Sequence, residues 1–241
     1  MATDPSRLDY PEVTLHEALA DTAWRFPGAV AWDFFGTQST YGQLIEDVDR
    51  CAAALAHEGL SRGERFLISM PTCPQGVIAF YAATRLGAVP AMVHPLSTAP
   101  EITRFLDQTG ARMALSLDAF HGTLAAATPR QRLERIVLAR IPDYLPFARR
   151  IGFALTKGRK IAKVPDDDRV RWWKALMASG YPKAPLAGAR PDDPAAILFS
   201  GGTTNLPKGI VLSHRNFISE GKAASGWCGL RALMKRRSAF R

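Results

Sequence analysis

Apolar positions in the first half of the chain alternate between a helical and a strand period, and the switches fall at capping and turn residues. Thr14-x-x-Glu17 is a capping box that opens a helix with Leu15, Ala18, Leu19 and Thr22 on one side, closed near Pro27. Residues 30–35 read as a strand ended by Gly36. Thr40-x-x-Gln43 is a second capping box, after which Tyr41, Leu44, Ile45, Val48, Ala52 and Leu55 recur at helical spacing until Gly59. Residues 65–70 form a short strand, 75–86 an apolar helix closed by Gly87, and 89–93 another strand. Thr98-x-x-Glu101 caps a helix whose buried stripe is Ile102, Phe105 and Leu106, and residues 113–117 are the strand after Gly110. Short strands separated by helices of this length predict an α/β fold: a mostly parallel sheet with helices on both faces. No segment repeats at a fixed period and none is low-complexity.

The chemistry-bearing stretch lies further on, in Leu198-Phe199-Ser200-Gly201-Gly202-Thr203-Thr204-Asn205-Leu206-Pro207-Lys208-Gly209. An apolar run at 195–199 delivers it and a second at 210–212 carries the chain away. Gly201 and Gly202 let backbone N–H groups turn around an anion at little steric cost, Ser200, Thr203 and Thr204 add hydroxyl donors, and Lys208 adds charge. Pro207 fixes its own φ and biases Leu206 toward an extended shape, which restricts the lysine. A Walker A loop needs Gly-Lys followed by Ser or Thr opening a helix; here the lysine sits between proline and glycine and a strand follows, so the pattern is strand–loop–strand. The bland alternative is a Gly/Thr-rich hairpin connection with a solvated lysine.

The order of hydroxyls, glycines, Pro207, Lys208 and Gly209 resembles the phosphate-binding signature of adenylate-forming (AMP-binding) enzymes, the superfamily of acyl-CoA synthetases, luciferases and peptide-synthetase adenylation domains. The resemblance extends to Ala82-Ala83-x-Arg85-Leu86-Gly87-Ala88-Val89 and the following Pro95-Leu96, and spans roughly residues 15–227. It implies the N-terminal part of an acyl-CoA synthetase, one that joins a carboxylate to ATP as acyl-adenylate and then to CoA, with Mg²⁺ as the ion. Ser200, Gly201, Gly202, Thr203, Thr204 and Lys208 would be the contacts to the ATP phosphates. Asn205 stands where the family usually has glycine, a mild departure because asparagine tolerates the left-handed conformation. The double glycine points to fatty-acid–CoA ligases, with aryl, short-chain and peptide-synthetase substrates as alternatives. His94 replaces a common asparagine and is expected to be a loop histidine satisfied by backbone.

By this likeness residues 1–181 form an N-terminal α/β subdomain, 182–194 a Pro/Ala/Gly-rich linker, 195–230 the start of a second subdomain, and 231–241 an aberrant basic tail. The family's Mg²⁺ ligand, ribose-binding aspartate and C-terminal lysine have no counterpart in this sequence, so no catalytic residue is assigned. Truncation or a frame shift after Trp227 is the expected origin of the ending, with catalysis incomplete and the final third poorly stabilised.

Composition bounds the rest. The 241 residues are 47% hydrophobic, enough for one large core or two small ones, and the longest apolar runs fall short of a membrane span. The opening residues lack a secretion pattern, so a cytoplasmic address is expected. Three scattered cysteines and five dispersed histidines offer no metal-binding spacing. The net charge of +9 concentrates in residues 130–163 and at the C-terminus. Without interleaved aromatics or a known module, nucleic acid is not an expected partner. Instead, about 140–165 reads as a basic amphipathic insert suited to peripheral contact at the inner membrane surface, or equally to a solvated helix pair. Asp166, Asp167 and Asp168 are read as capping and linker residues, and Ser213-His214 as a helix start rather than a catalytic pair.

Overall fold

The computed structural model describes residues 10–127, 132–156, 158–200 and 207–227. The chain runs through α1 (Leu15–Arg25), β1 (Val30–Phe34), β2 (Thr37–Thr40), α2 (Tyr41–His57), β3 (Arg65–Ser69), α3 (Pro74–Arg85), β4 (Val89–Val93), α4 (Ala99–Thr109) and β5 (Met113–Leu117). It continues with α5 (His121–Ala127), β6 (Arg135–Ala139), α6 (Phe147–Leu155), β7 (Val170–Trp172), α7 (Trp173–Met177), β8 (Pro194–Phe199), β9 (Gly209–Ser213) and α8 (His214–Trp227).

The three capping boxes open the helices assigned to them. The Thr14 N–H donates to the Glu17 carboxylate at 2.7 Å and the Glu17 N–H to the Thr14 hydroxyl at 3.2 Å. Thr40 and Gln43 repeat the exchange at 3.0 and 3.2 Å, and the Thr98 N–H donates to Glu101 at 2.7 Å. Each box satisfies donors that a helix start otherwise leaves open.

Seven strands form one sheet in the order β7-β6-β5-β3-β4-β8-β9, parallel throughout except that β9 pairs antiparallel with β8. Alternation along β3 shows how the sheet is clothed. Phe66 and Ile68 face a core with Leu44, Val48 and Leu55 of α2, Ile78 of α3 and Trp173 of α7. Leu67 faces the other core, with Ile102, Phe105 and Leu106 of α4 and Leu124 of α5. All three strand residues are fully buried, each contributing on the order of 1.5–3 kcal/mol. Two-sided burial makes the parallel arrangement stable.

One local expectation changes, and two further features of the sheet stand beside it. The strand expected over 30–35 is not part of the sheet: β1 pairs only with β2, in an antiparallel ribbon. Phe35 does not extend it, because Phe35 and Gly36 take φ of 55° and 95° to form the two-residue hairpin turn. Within the stretch singled out for its positive charge, residues Arg135–Ala139 form β6, its apolar side chains Ile136, Val137 and Leu138 fully buried. Residues 195–213, where a second subdomain is expected to start, add β8 and β9 to the edge of the same sheet. The segment before them lacks helix and strand from residue 181 to 193 and is tied back to the α2–β3 and α3–β4 turns. Arg62 donates to the Ala187 carbonyl at 3.0 Å, and Gly87, at φ +67°, lies so close that a Cβ there would sit 2.9 Å from Ala187 Cβ.

Candidate functional site

Parallel strands place all their C-terminal ends on one edge, and the helices that follow β3 and β4 leave to opposite faces. α3 packs in the core on one side and α4 in the core on the other. In open α/β sheets that divergence creates the crevice where ligands bind. β8 lies beside β4, with Ala91 opposite Ile197 and Met92 opposite Leu198, so the loop leaving β8 emerges next to this crevice.

The loop has the expected strand–loop–strand frame. β8 and β9 pair up to Phe199 opposite Gly209, and the Ser200 N–H then donates to the Lys208 carbonyl at 3.1 Å. The Lys208 N–H points back to the Ser200 hydroxyl at 3.4 Å. Ser200 and Lys208 therefore form the two ends of one base. Gly201, Gly202, Thr203 and Thr204 lie outside the described residues. The Lys208 side chain is exposed and has no ion pair among the described residues.

α4 fixes this base from behind. The Phe105 ring meets Phe199 with centroids 4.1 Å apart, and the Gln108 side-chain amide donates to the Pro207 carbonyl at 3.1 Å. Gly209 sits tight against β8: a Cβ there would fall 3.2 Å from Ile197 and 3.3 Å from Phe199. Phe105 was legible as part of a buried stripe. Gln108 carried no sequence signal, because a polar residue on an exposed helix edge looks the same whether it faces water or a loop carbonyl.

α8 holds the exit of β9. Ser213 and Asn216 cap it reciprocally, the Ser213 N–H donating to Asn216 at 2.9 Å and the Asn216 N–H to the Ser213 hydroxyl at 3.3 Å. His214 is 1% exposed and its Nδ1 accepts the N–H of Leu15 at 3.2 Å, so it completes the start of α1. Burial pushes its pKa down. Arg215 grips both oxygens of Asp192 at 2.7 and 3.0 Å and also reaches Glu12. The Ser213-His214 pair is thus a helix start, and the structural role of His214 is a clamp between the two ends of the described chain.

The remaining candidates resolve simply. His94 is an exposed loop residue whose Nδ1 accepts the Leu96 N–H at 3.2 Å. Asp167 makes a forked pair with Arg169, which holds its carboxyl well below the usual range. Among the described residues no group of three His, Cys, Asp or Glu is placed to hold a metal ion. Cys51 and Cys73 are buried free thiols whose pKa values burial raises, so neither is poised as a nucleophile.

Sheet order, helix placement and the strand–loop–strand edge define the class: the N-terminal α/β architecture of the adenylate-forming enzymes. A long-chain-fatty-acid–CoA ligase from Archaeoglobus fulgidus superposes with a TM-score of 0.72 at 19% identity, covering 92% of this chain and 41% of that one. An anthranilate CoA ligase solved with anthranoyl-AMP gives 0.68 at 18% identity, covering 88% and 37%. The family description "AMP-binding enzyme" matches residues 19–236, and the chain belongs to that family. In sequence it is similar to a long-chain-fatty-acid–CoA ligase of Bacillus subtilis (strain 168), 29% identical over 227 residues, 92% of this chain and 40% of that protein. It is also 30% identical over 224 residues to a salicyl-AMP ligase of Mycobacterium tuberculosis, 91% of this chain and 36% of that protein. The chain thus spans well under half the length of these curated relatives. No described helix is long and apolar enough to cross a membrane.

Proposed function

We propose that this chain carries the ATP phosphate grip of an AMP-forming acyl-CoA synthetase acting on a fatty acid, and that it does not complete the reaction alone. The observation that carries the reading is the closed base Ser200–Lys208 at the end of β8, beside the crevice between β3 and β4. In this reading Ser200, Gly201, Gly202, Thr203 and Thr204 supply N–H and hydroxyl donors to the β- and γ-phosphates, and Lys208 neutralises their charge. Segment 182–194 hands the chain from residues 1–181 to residues 195–230, which carry the loop.

Adenylation is an attack by a carboxylate oxygen on the α-phosphorus, with pyrophosphate leaving. Holding the departing phosphates in a preorganised cradle stabilises the charge that builds on them. The chain contributes that part. The described base of the loop, Ser200, Pro207 and Lys208 with Gln108 behind it, contains no carboxylate, so these residues do not fit the Mg²⁺ that the family likeness calls for. CoA and the fatty acid enter as substrates of the complete enzyme, and the fatty acid is favoured by the double glycine and by the long-chain relatives.

Equilibrium binding of a non-hydrolysable ATP analogue tests the grip. Lys208→Ala removes a charged donor worth about 1.5–3 kcal/mol, so affinity should fall roughly ten- to a hundredfold with the circular dichroism spectrum unchanged. Equal affinity in both proteins would exclude the phosphate role. Incompleteness is checked by carboxylate-dependent ATP–pyrophosphate exchange on the purified chain: none is expected, and exchange that disappears in Lys208→Ala would refute that half of the proposal.

A second reading, binding at a membrane surface through residues 140–165, is favoured by the exposed apolar side chains of α6.

A further inference from the structure

We infer that α6 and the groove beneath it form a seat for anionic phospholipid at a bilayer surface, turned so that the edge bearing the phosphate loop lies toward the lipid. This rests on the membrane reading above and names its contact surface and lipid class.

α6 buries none of its residues. Phe147, Ile151 and Leu155 are 77%, 47% and 58% exposed, and their i, i+4, i+8 spacing stacks them into one stripe along the helix. The opposite side covers a groove of about 650 Å³ lined by Arg140, Arg150, Phe153, Arg159, Lys163 and Trp172 among others. Arg140 is already engaged, pairing with Asp118 at 3.5 Å and lying 4.0 Å over the Trp172 ring. Arg150, Arg159 and Lys163 are exposed and have no ion pair among the described residues.

Other cations of the basic stretch are spent on protein carboxylates: Arg132 on Asp107, and Arg135 on Glu58 at 2.8 Å. The unneutralised ones cluster at α6. Unpaired cations beside an apolar stripe complement a surface with negative headgroups above hydrocarbon, the arrangement that holds interfacial helices. A soluble polyanion would satisfy the cations and leave the stripe in water, so the occupant is a bilayer rather than free phosphate.

Placement gives the orientation. Asp118 and Arg140, on the groove wall, directly follow β5 and β6, so the groove opens at the C-terminal edge of the parallel strands. The loop after β8 opens on the same edge, three strands along from β5 and five from β7, on the order of 14 to 24 Å away at about 4.8 Å per strand. A chain seated this way receives an apolar carboxylate from the leaflet it rests on.

Co-sedimentation of the full chain with vesicles tests this, comparing phosphatidylcholine alone with phosphatidylcholine containing a third phosphatidylglycerol. Binding is expected only to the anionic vesicles. It should drop at least tenfold in the triple variant Arg150→Glu, Arg159→Glu, Lys163→Glu, and in the triple variant Phe147→Ser, Ile151→Ser, Leu155→Ser. An equal charge change placed elsewhere, Arg104→Glu, Lys174→Glu, Lys222→Glu, should leave it within about twofold. Amide exchange of residues 147–155 should slow on the vesicles, a readout that needs no variant. Absence of vesicle binding overturns both the membrane reading and the seat. Binding that survives both α6 variants, or that falls equally in the control, overturns the seat alone. Inorganic phosphate at constant ionic strength is expected not to displace the chain; displacement would assign the groove to free phosphate.

Discussion

His214 shows how one side chain links distant parts of the chain. Its Nδ1 accepts the Leu15 N–H, so the ring is unprotonated at that nitrogen, and burial lowers its pKa from the ordinary 6.5. A lowered histidine pKa means the unfolded state takes up the proton first. Stability is therefore full above about pH 6.5 and is lost as pH falls below it, down to the folded pKa. Thermal melts between pH 7.5 and 5 should show the midpoint falling with acid, and His214→Gln, which keeps an acceptor, should flatten part of that slope. His16 and His121, also lowered by burial, supply the remainder with the same sign. A slope unchanged in His214→Gln would contradict the clamp. From sequence, the helix start at Ser213 was legible because capping chemistry is local. The bond from His214 to Leu15 was not, because nothing in either neighbourhood encodes a contact between residues so far apart.

At the scale of elements, the helix layer over the first core is fastened by a charge that has almost no water. Arg85 of α3 has 1% of its side chain exposed and donates through Nε to Asp49 of α2 at 2.6 Å. Lys183, from the segment before β8, reaches the same carboxylate at 2.6 Å, but it is 69% exposed and adds little. Asp49→Ala leaves the guanidinium buried without its partner, and urea unfolding should report a loss of about 3–5 kcal/mol. Lys183→Ala should change stability by less than about 1 kcal/mol. Helices capped by Thr14, Thr40 and Thr98 were readable because a box and an apolar period agree. β6 was hidden in a stretch whose arginines dominate its composition: Arg135 and Arg140 flank only four apolar residues, too short a run to stand out from the charge around it. The strand at 30–35 was legible but its pairing with β2 was not, because a short strand pattern does not say which sheet it joins.

At the scale of the whole molecule, the described residues leave one apolar edge of the sheet open. Leu198, Ile210 and Val211 are 36%, 48% and 57% exposed on β8 and β9, and among the described residues β9 is the last strand of the sheet. An apolar edge of this kind templates pairing with another chain. Light scattering at rising concentration should show self-association, and Val211→Lys, which adds charge to that edge, should reduce it; unchanged scattering would mean that the edge is already covered. From sequence, the strands at 195–199 and 210–212 were legible as apolar runs, but which of their side chains face water was not, because an apolar run alone does not say what packs against it.

The pairing of Ala91 with Ile197 carries a kinetic consequence. β8 cannot find its place until everything between these two residues has been synthesised and β4 is already standing, and closing so long a loop is slow compared with forming a hairpin. During synthesis on the ribosome β8 and the loop that leaves it thus join the sheet only after β3, β4 and the helices between them have been made.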